Sequence, residues 1–118
     1  MEVKQDIIEG FRLLRTKGEI DLASSPRLKE ALKHSPETQD SILLLDMSEV
    51  SFIDSSGLAV LIEYAREAYQ HGGKIILFGL NDRVRLVFEL VRLDEWFTIL
   101  PNESEALDQA KKLVHTPH

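Results

Sequence analysis

The sequence predicts an α/β fold, a mixed central sheet of about five strands with four helices in the order ββαβαβαβα. Three observations predict it. Val3 to Ile8 and Phe11 to Thr16 read as strands, and Glu9-Gly10 between them suits a tight hairpin turn. The rest of the chain alternates short apolar runs with stretches of helical spacing, as parallel strands joined by right-handed crossovers do. Ser41-Ile42-Leu43-Leu44-Leu45-Asp46-Met47 is almost continuously apolar, as expected of a central strand covered on both faces.

Each element has its own signals. Gly18-Glu19-Ile20-Asp21 reads as a connection out of the hairpin. Ser24 or Ser25 precedes Pro26, an N-cap followed by proline at the first helical position. Leu28, Ala31 and Leu32 give the first helix its buried face. It ends near His34-Ser35-Pro36, because proline disfavours helix at the residue before it. After the central strand, Leu58, Leu61, Ile62, Ala65, Ala68 and Tyr69 form the apolar stripe of the second helix. His71-Gly72-Gly73 ends that helix, with glycine in the left-handed cap. Lys74 to Phe78 is the next strand, and Asn81 is the N-cap of a third helix with Val84, Val87, Phe88 and Val91 on its apolar face. Glu95 to Leu100 contains a short last strand. Asn102 with Glu105 resembles a capping box opening the fourth helix, whose inward residues are Ala106, Ala110, Leu113 and Val114. His115 to His118 reads as a frayed tail.

The stretch from Val50 to Ile62 carries the functional signal. It reads as the end of a buried strand, a polar turn of Asp54, Ser55, Ser56 and Gly57, and the start of a helix. In such sheets the working surface lies at the carboxyl ends of the parallel strands, and this turn occupies one of them. The first N–H groups of a helix lack partners within it, so an anion is favoured there. A phosphate on Ser55 or Ser56 would add roughly −1.5 to −2 charges without melting the helix. The plainer reading is that Asp54 or Ser55 is an N-cap, and capping and modification are compatible.

Bulk properties narrow the function. The chain has 118 residues, 43% of them hydrophobic, enough for the core of one domain. A net charge of −6 argues against a nucleic-acid or anionic-membrane surface. The lack of cysteine removes disulfides, thiolate zinc sites and cysteine nucleophiles, and fits a cytoplasmic location. No apolar run approaches the ~20 residues of a membrane span. Asp54-Ser55 has no Gly-x-Ser-x-Gly elbow around it, and Gly72-Gly73-Lys74 lacks the remainder of a phosphate loop. His34 and His71 fall at helix ends, which speaks for surface placement. Trp96 and Phe97 read as core, and Asp94-Glu95 and Glu103-Ser104-Glu105 as solvated surface and helix starts. Neither a metal nor a cofactor is called for, and the expectation is a binding protein, not an enzyme.

Ile42 to Ile62 closely resembles the phosphorylation-site region of bacterial anti-sigma factor antagonists, which are single STAS domains. The match is Phe52-Ile53-Asp54-Ser55-Ser56-Gly57-Leu58 after an apolar strand. Gly18-Glu19-Ile20-Asp21, Gly72-Gly73-Lys74 and Val84 to Phe88 resemble the family at corresponding places, so residues 1–118 read as one STAS domain. One departure is Arg92, where the family commonly has glycine after the third helix. That places the local backbone in question: the helix would end differently or run on a little.

The resemblance implies that Ser55 is the phosphorylated serine, with Asp54 beside it, Ser56 and Gly57 shaping the turn, and Asp21 near the same surface. It implies an unphosphorylated form that binds an anti-sigma factor, itself a serine kinase, and so frees the sigma factor. Phosphorylation of Ser55 breaks that complex, and a serine phosphatase restores the active form. The alternative within the same fold is a scaffold or subunit of another complex, in lipid transport or signalling, binding a protein partner or small ligand.

Overall fold

The computed structural model describes residues 1–33 and 42–115, and the predicted end of the first helix at His34-Ser35-Pro36 lies outside them. The elements are β1 (Glu2–Ile8), β2 (Phe11–Ile20), α1 (Ser25–Lys33), β3 (Ile42–Ile53), α2 (Ser55–Gln70), β4 (Lys74–Phe78), α3 (Asp82–Leu90), β5 (Thr98–Leu100) and α4 (Glu103–His115). The order ββαβαβαβα is the expected one. The turn between β1 and β2 places both Glu9 and Gly10 at positive φ, 52° and 86°.

The strands lie side by side in chain order, β1 antiparallel to β2 and the others parallel. Each crossover of the usual hand therefore steps the same way, which puts α1, α2 and α3 on one face of the sheet. Two cores record this. Leu28 and Leu32 of α1, Leu61 and Ala65 of α2, and Val84 and Phe88 of α3 pack on Leu43, Leu45 and Met47 of β3. Ala106 and Ala110 of α4 pack on the opposite side, against Ile42 and Leu44. Both sets of β3 side chains are buried, so this strand reads as an unbroken apolar run.

Two strands are longer than their apolar patterns. β2 continues through Gly18-Glu19-Ile20, predicted as a connection, because this segment pairs with the far half of β3. The register slips between Arg15 and Lys17 and again between Gly18 and Glu19, each time with an extra residue on β3. At the first slip the Asp46 carboxylate accepts from the Ser48 N–H at 2.9 Å, and the Thr16 hydroxyl donates to the Asp46 carbonyl at 2.7 Å.

The helix ends follow the predicted chemistry with small shifts. Pro26 stands second in α1, one place later than predicted, where its missing N–H still costs nothing. The buried Arg12 guanidinium donates to the Ala31 and Leu32 carbonyls, placing a cation at the last turn of α1. Burial lowers its pKa from the ordinary arginine value. Asn81 caps α3 by accepting from the Val84 N–H at 2.8 Å, and Asn102 accepts from the Glu105 N–H at 2.9 Å. Val91 and Val114 are exposed, not buried as predicted: Val91 is the C-cap residue just past α3, and Val114 lies in the last turn of α4.

The helices α2 and α3 end in the same motif with different residues. After α2, Gly72 has φ 78° and donates to the Tyr69 carbonyl, while Gly73 donates to the Ala68 carbonyl. After α3, Arg92 has φ 61° and donates to the Glu89 carbonyl, while Leu93 donates to the Phe88 carbonyl. Arg92 therefore ends the helix as glycine would, in a left-handed conformation that costs a side chain about 1–2 kcal/mol. Arg92→Gly should raise stability by about 0.5–1 kcal/mol, the relief less the added chain entropy of glycine. A urea-unfolding midpoint equal to or below that of the parent protein would contradict this.

Candidate functional site

The site sits where β2 and β3 end. Ile20 pairs with Ile53, and the Asp54 N–H donates to the Ile20 carbonyl at 3.1 Å, so Asp21 and Asp54 leave the same edge of the sheet. Asp54 has an extended backbone, and its carboxylate accepts from the N–H groups of Ser56 at 2.9 Å and Gly57 at 3.2 Å. Asp54 is thus the N-cap of α2. The predicted four-residue polar turn shrinks to this single residue, and Ser55, Ser56 and Gly57 are already helical.

Ser55 is exposed, Ser56 and Asp54 are half-buried, and Gly57 is buried. The first helical position points Ser55 outward while Gly57 faces the strands. A Cβ on Gly57 would lie 2.5 Å from Ile20 Cγ2, 2.9 Å from Ile53 Cγ1 and 3.1 Å from the Ile20 carbonyl oxygen. Its glycine is required by close approach of α2 to β2 and β3, not by turn geometry. Gly57→Ala should destabilise the protein by about 1–3 kcal/mol, because both isoleucines are fully enclosed and cannot yield. A thermal melt within a degree or so of the parent would refute that packing account.

Asp21 forms a second local cap. Its carboxylate accepts from the Ser24 N–H at 3.0 Å, the Ser24 hydroxyl accepts from the Asp21 N–H at 2.9 Å, and the Ser25 N–H donates to the Asp21 carbonyl at 2.8 Å. The Ser24 N–H, and then the Ser24 hydroxyl, hold the Asp21 pKa below the usual carboxylate value. Its contribution to stability is therefore present above the ordinary aspartate pKa and lost as the pH falls through the depressed one. The carboxylate stays negative at neutral pH, close in the fold to the Ser55 end of α2.

Apolar surface surrounds these polar groups, and it was not apparent in the sequence. Leu58, Ala59 and Ile62 of α2 form a groove with Val91 and Leu93, and Ser55 lies at its mouth. Leu22, beside Asp21, is 75% exposed, and Phe52, one residue before the end of β3, is 38% exposed. The signal for Leu22 was a leucine without periodic partners. Phe52 and Val91 gave none, because their exposure follows from where β3 and α3 end. Trp96 departs from its predicted core position. It is 39% exposed and meets Tyr69 edge-on at 5.2 Å, while Phe97 is buried as expected.

Among the described residues no group of three or more His, Asp or Glu side chains could hold a metal ion. His71 is exposed at the end of α2, with Nδ1 2.9 Å from the Glu67 carbonyl oxygen. Among the described residues no helix is long and apolar enough to cross a membrane.

A fold of this kind, with a capped serine presented at the junction of the central strand and α2, defines a class. The STAS domain family model matches residues 2–106, and the chain belongs to the STAS domain family, whose members among its relatives include anti-sigma factor antagonists. It is 36% identical over 88 residues to the anti-sigma-B factor antagonist of Listeria monocytogenes, covering 75% of this chain and 77% of the relative. An anti-sigma factor antagonist from Mycobacterium paratuberculosis superposes with a TM-score of 0.83 at 24% identity, over 93% of each chain. The Bacillus cell fate determinant SpoIIAA in its phosphorylated form superposes with a TM-score of 0.69 at 22% identity, over 92% of this chain and 99% of its own. At those identities the two structures establish the fold.

Proposed function

We propose that this chain is an anti-sigma factor antagonist whose binding is switched at Ser55. The unphosphorylated protein binds an anti-sigma factor that is also a serine kinase, and the sigma factor is released. The kinase, with its own ATP, then phosphorylates Ser55 and the complex separates; a serine phosphatase resets the switch. The observation that carries this reading is the exposed Ser55 at the start of α2, directly after the Asp54 cap and beside an apolar groove.

The placement suits a charge switch. A phosphate on Ser55 sits at the positive end of the α2 dipole, so the antagonist's own fold tolerates it. The same dianion between Leu58, Val91 and a docked partner would be stripped of water, which disfavours the complex. The antagonist supplies the acceptor hydroxyl and the shaped surface; the partner supplies nucleotide, metal and base. Asp21, Asp54, Ser56 and Gly57 complete the partner-binding surface around Ser55, the two carboxylates as charged contacts and the other two by holding the helix start in place.

A pull-down from the native cell, with and without ATP, followed by peptide mass spectrometry, tests the reading. The expected result is recovery of an ATP-binding anti-sigma protein and kinase-dependent phosphate on Ser55. Phosphate on Ser56 alone would overturn the residue assignment. Copurification with membrane-transport subunits instead would move the protein to another STAS role.

A further inference from the structure

The groove beside Ser55 does not end at Ile62 and Leu93. The same two residues open a second, wider groove that continues along α2 past Arg66 and Tyr69, with Arg92 and Trp96 on its far wall. The two form one trough along α2, apolar near Ser55 and cationic and aromatic at the far end.

Three features set the far end apart. Neither Arg66 nor Arg92 has a carboxylate partner among the described residues, although the chain carries 20 acidic residues against 14 basic ones. Lys74 lies behind this wall, its Nζ 5.4 Å from the ring centre of Tyr69. Trp96 is exposed yet firmly backed, with ring centres 5.2 Å from Tyr69 and 4.9 Å from the buried Phe97. Finally, Arg92 holds a left-handed backbone that glycine would adopt without strain, so a side chain is kept at this point of the trough wall.

We infer that this trough docks an acidic segment of the partner protein, its carboxylates on Arg66 and Arg92 and a large apolar side chain against Trp96. The inference deepens the proposed function and rests on it for the partner's identity. Charge complementarity selects an acidic occupant. The groove is open, not enclosed, which fits an extended peptide and not a small molecule, whose tight binding needs most of its surface covered. The far end is a second anchor, distant from the phosphate, so the charge switch at Ser55 acts on one half of the interface only.

Trp96 is the single tryptophan of the chain, so its fluorescence reads the trough directly. The probe is an acetylated octapeptide alternating glutamate with leucine and phenylalanine; its counterpart carries lysine for glutamate. The expected result is a saturable shift of Trp96 emission with a dissociation constant of about 100 µM. Arg92→Gly, which the backbone favours, and Arg66→Gln should each weaken binding about tenfold. No shift at about 1 mM peptide overturns the inference. So does an equal response to the lysine peptide, or unchanged affinity in both arginine variants. The same shift from inorganic phosphate would assign the trough to a small anion, and a dimer lost in Arg92→Gly would assign it to a second copy; both overturn it. Peptide binding as expected, with no kinase acting on Ser55, would remove the proposed function and leave the trough standing.

Discussion

Ser55→Asp should weaken binding to the proposed anti-sigma kinase about 100-fold, a loss of about 3 kcal/mol, while Ser55→Ala should bind as tightly as the parent protein and accept no phosphate. The asymmetry follows from position. Ser55 is exposed at the first residue of α2, and its side chain is not the N-cap, because Asp54 accepts from the Ser56 and Gly57 N–H groups. Removing the hydroxyl therefore leaves the helix start intact. Adding a carboxylate puts a charge where a partner must cover Leu58 and Val91. Two measurements check the pair: calorimetric titration with the kinase and an unfolding curve for each variant. The unfolding curves should stay within about 0.5 kcal/mol of the parent, since surface changes away from caps and cores do little. Equal affinity for Ser55→Asp and Ser55→Ala would show that charge at this position does not control docking. The contrasting control is Asp54→Ala, which removes the cap and should cost about 1 kcal/mol of stability.

Much of this architecture was legible because local chemistry and tertiary packing agree. Leu43, Leu44 and Leu45 are buried on alternate faces of one strand, and a run of that kind has few other homes. Asn81 and Asn102 cap the helices they were expected to cap. Misreadings came where long-range pairing overrode local signals. Lys17-Gly18-Glu19 has a polar pattern and a glycine, yet it is strand because β3 runs alongside it. The start of α2 was legible in residue type but not in geometry: the sequence showed helix-start residues, while only the packed structure shows Gly57 wedged against Ile20 and Ile53. The apolar rim was least legible. Val91 matches the spacing of a buried stripe, yet it is the C-cap residue past the end of α3 and is exposed. Arg15 was also unremarked, since one charge near the middle of a strand says nothing about the three carboxylates that meet it.

Those carboxylates arrive from three different elements. On the α4 face, Arg15 of β2 contacts Asp6 of β1 at 2.8 Å, Asp46 of β3 at 3.0 Å and Glu103 of α4 at 2.7 Å. Hydrogen bonds to Glu103 first, then Asp6, raise the Arg15 pKa further above the ordinary arginine value. Arg15→Met should lower stability by about 2–3 kcal/mol, below the usual cost of breaking a fully buried pair because the guanidinium is a third exposed. The cause is less the lost attraction than the three like charges left facing one another, of which Asp46 is the most enclosed. Adding Asp46→Asn to Arg15→Met should therefore recover about 1 kcal/mol, a non-additivity that a double-mutant cycle by urea unfolding measures. Arg15→Lys should fall between, since one ammonium cannot present a fork of donors to several carboxylates. A loss below about 0.5 kcal/mol for Arg15→Met would place the cluster with ordinary surface ion pairs. Because the cluster lies on the sheet face opposite α2, the weakened protein should still accept phosphate at Ser55 if that residue is the switch.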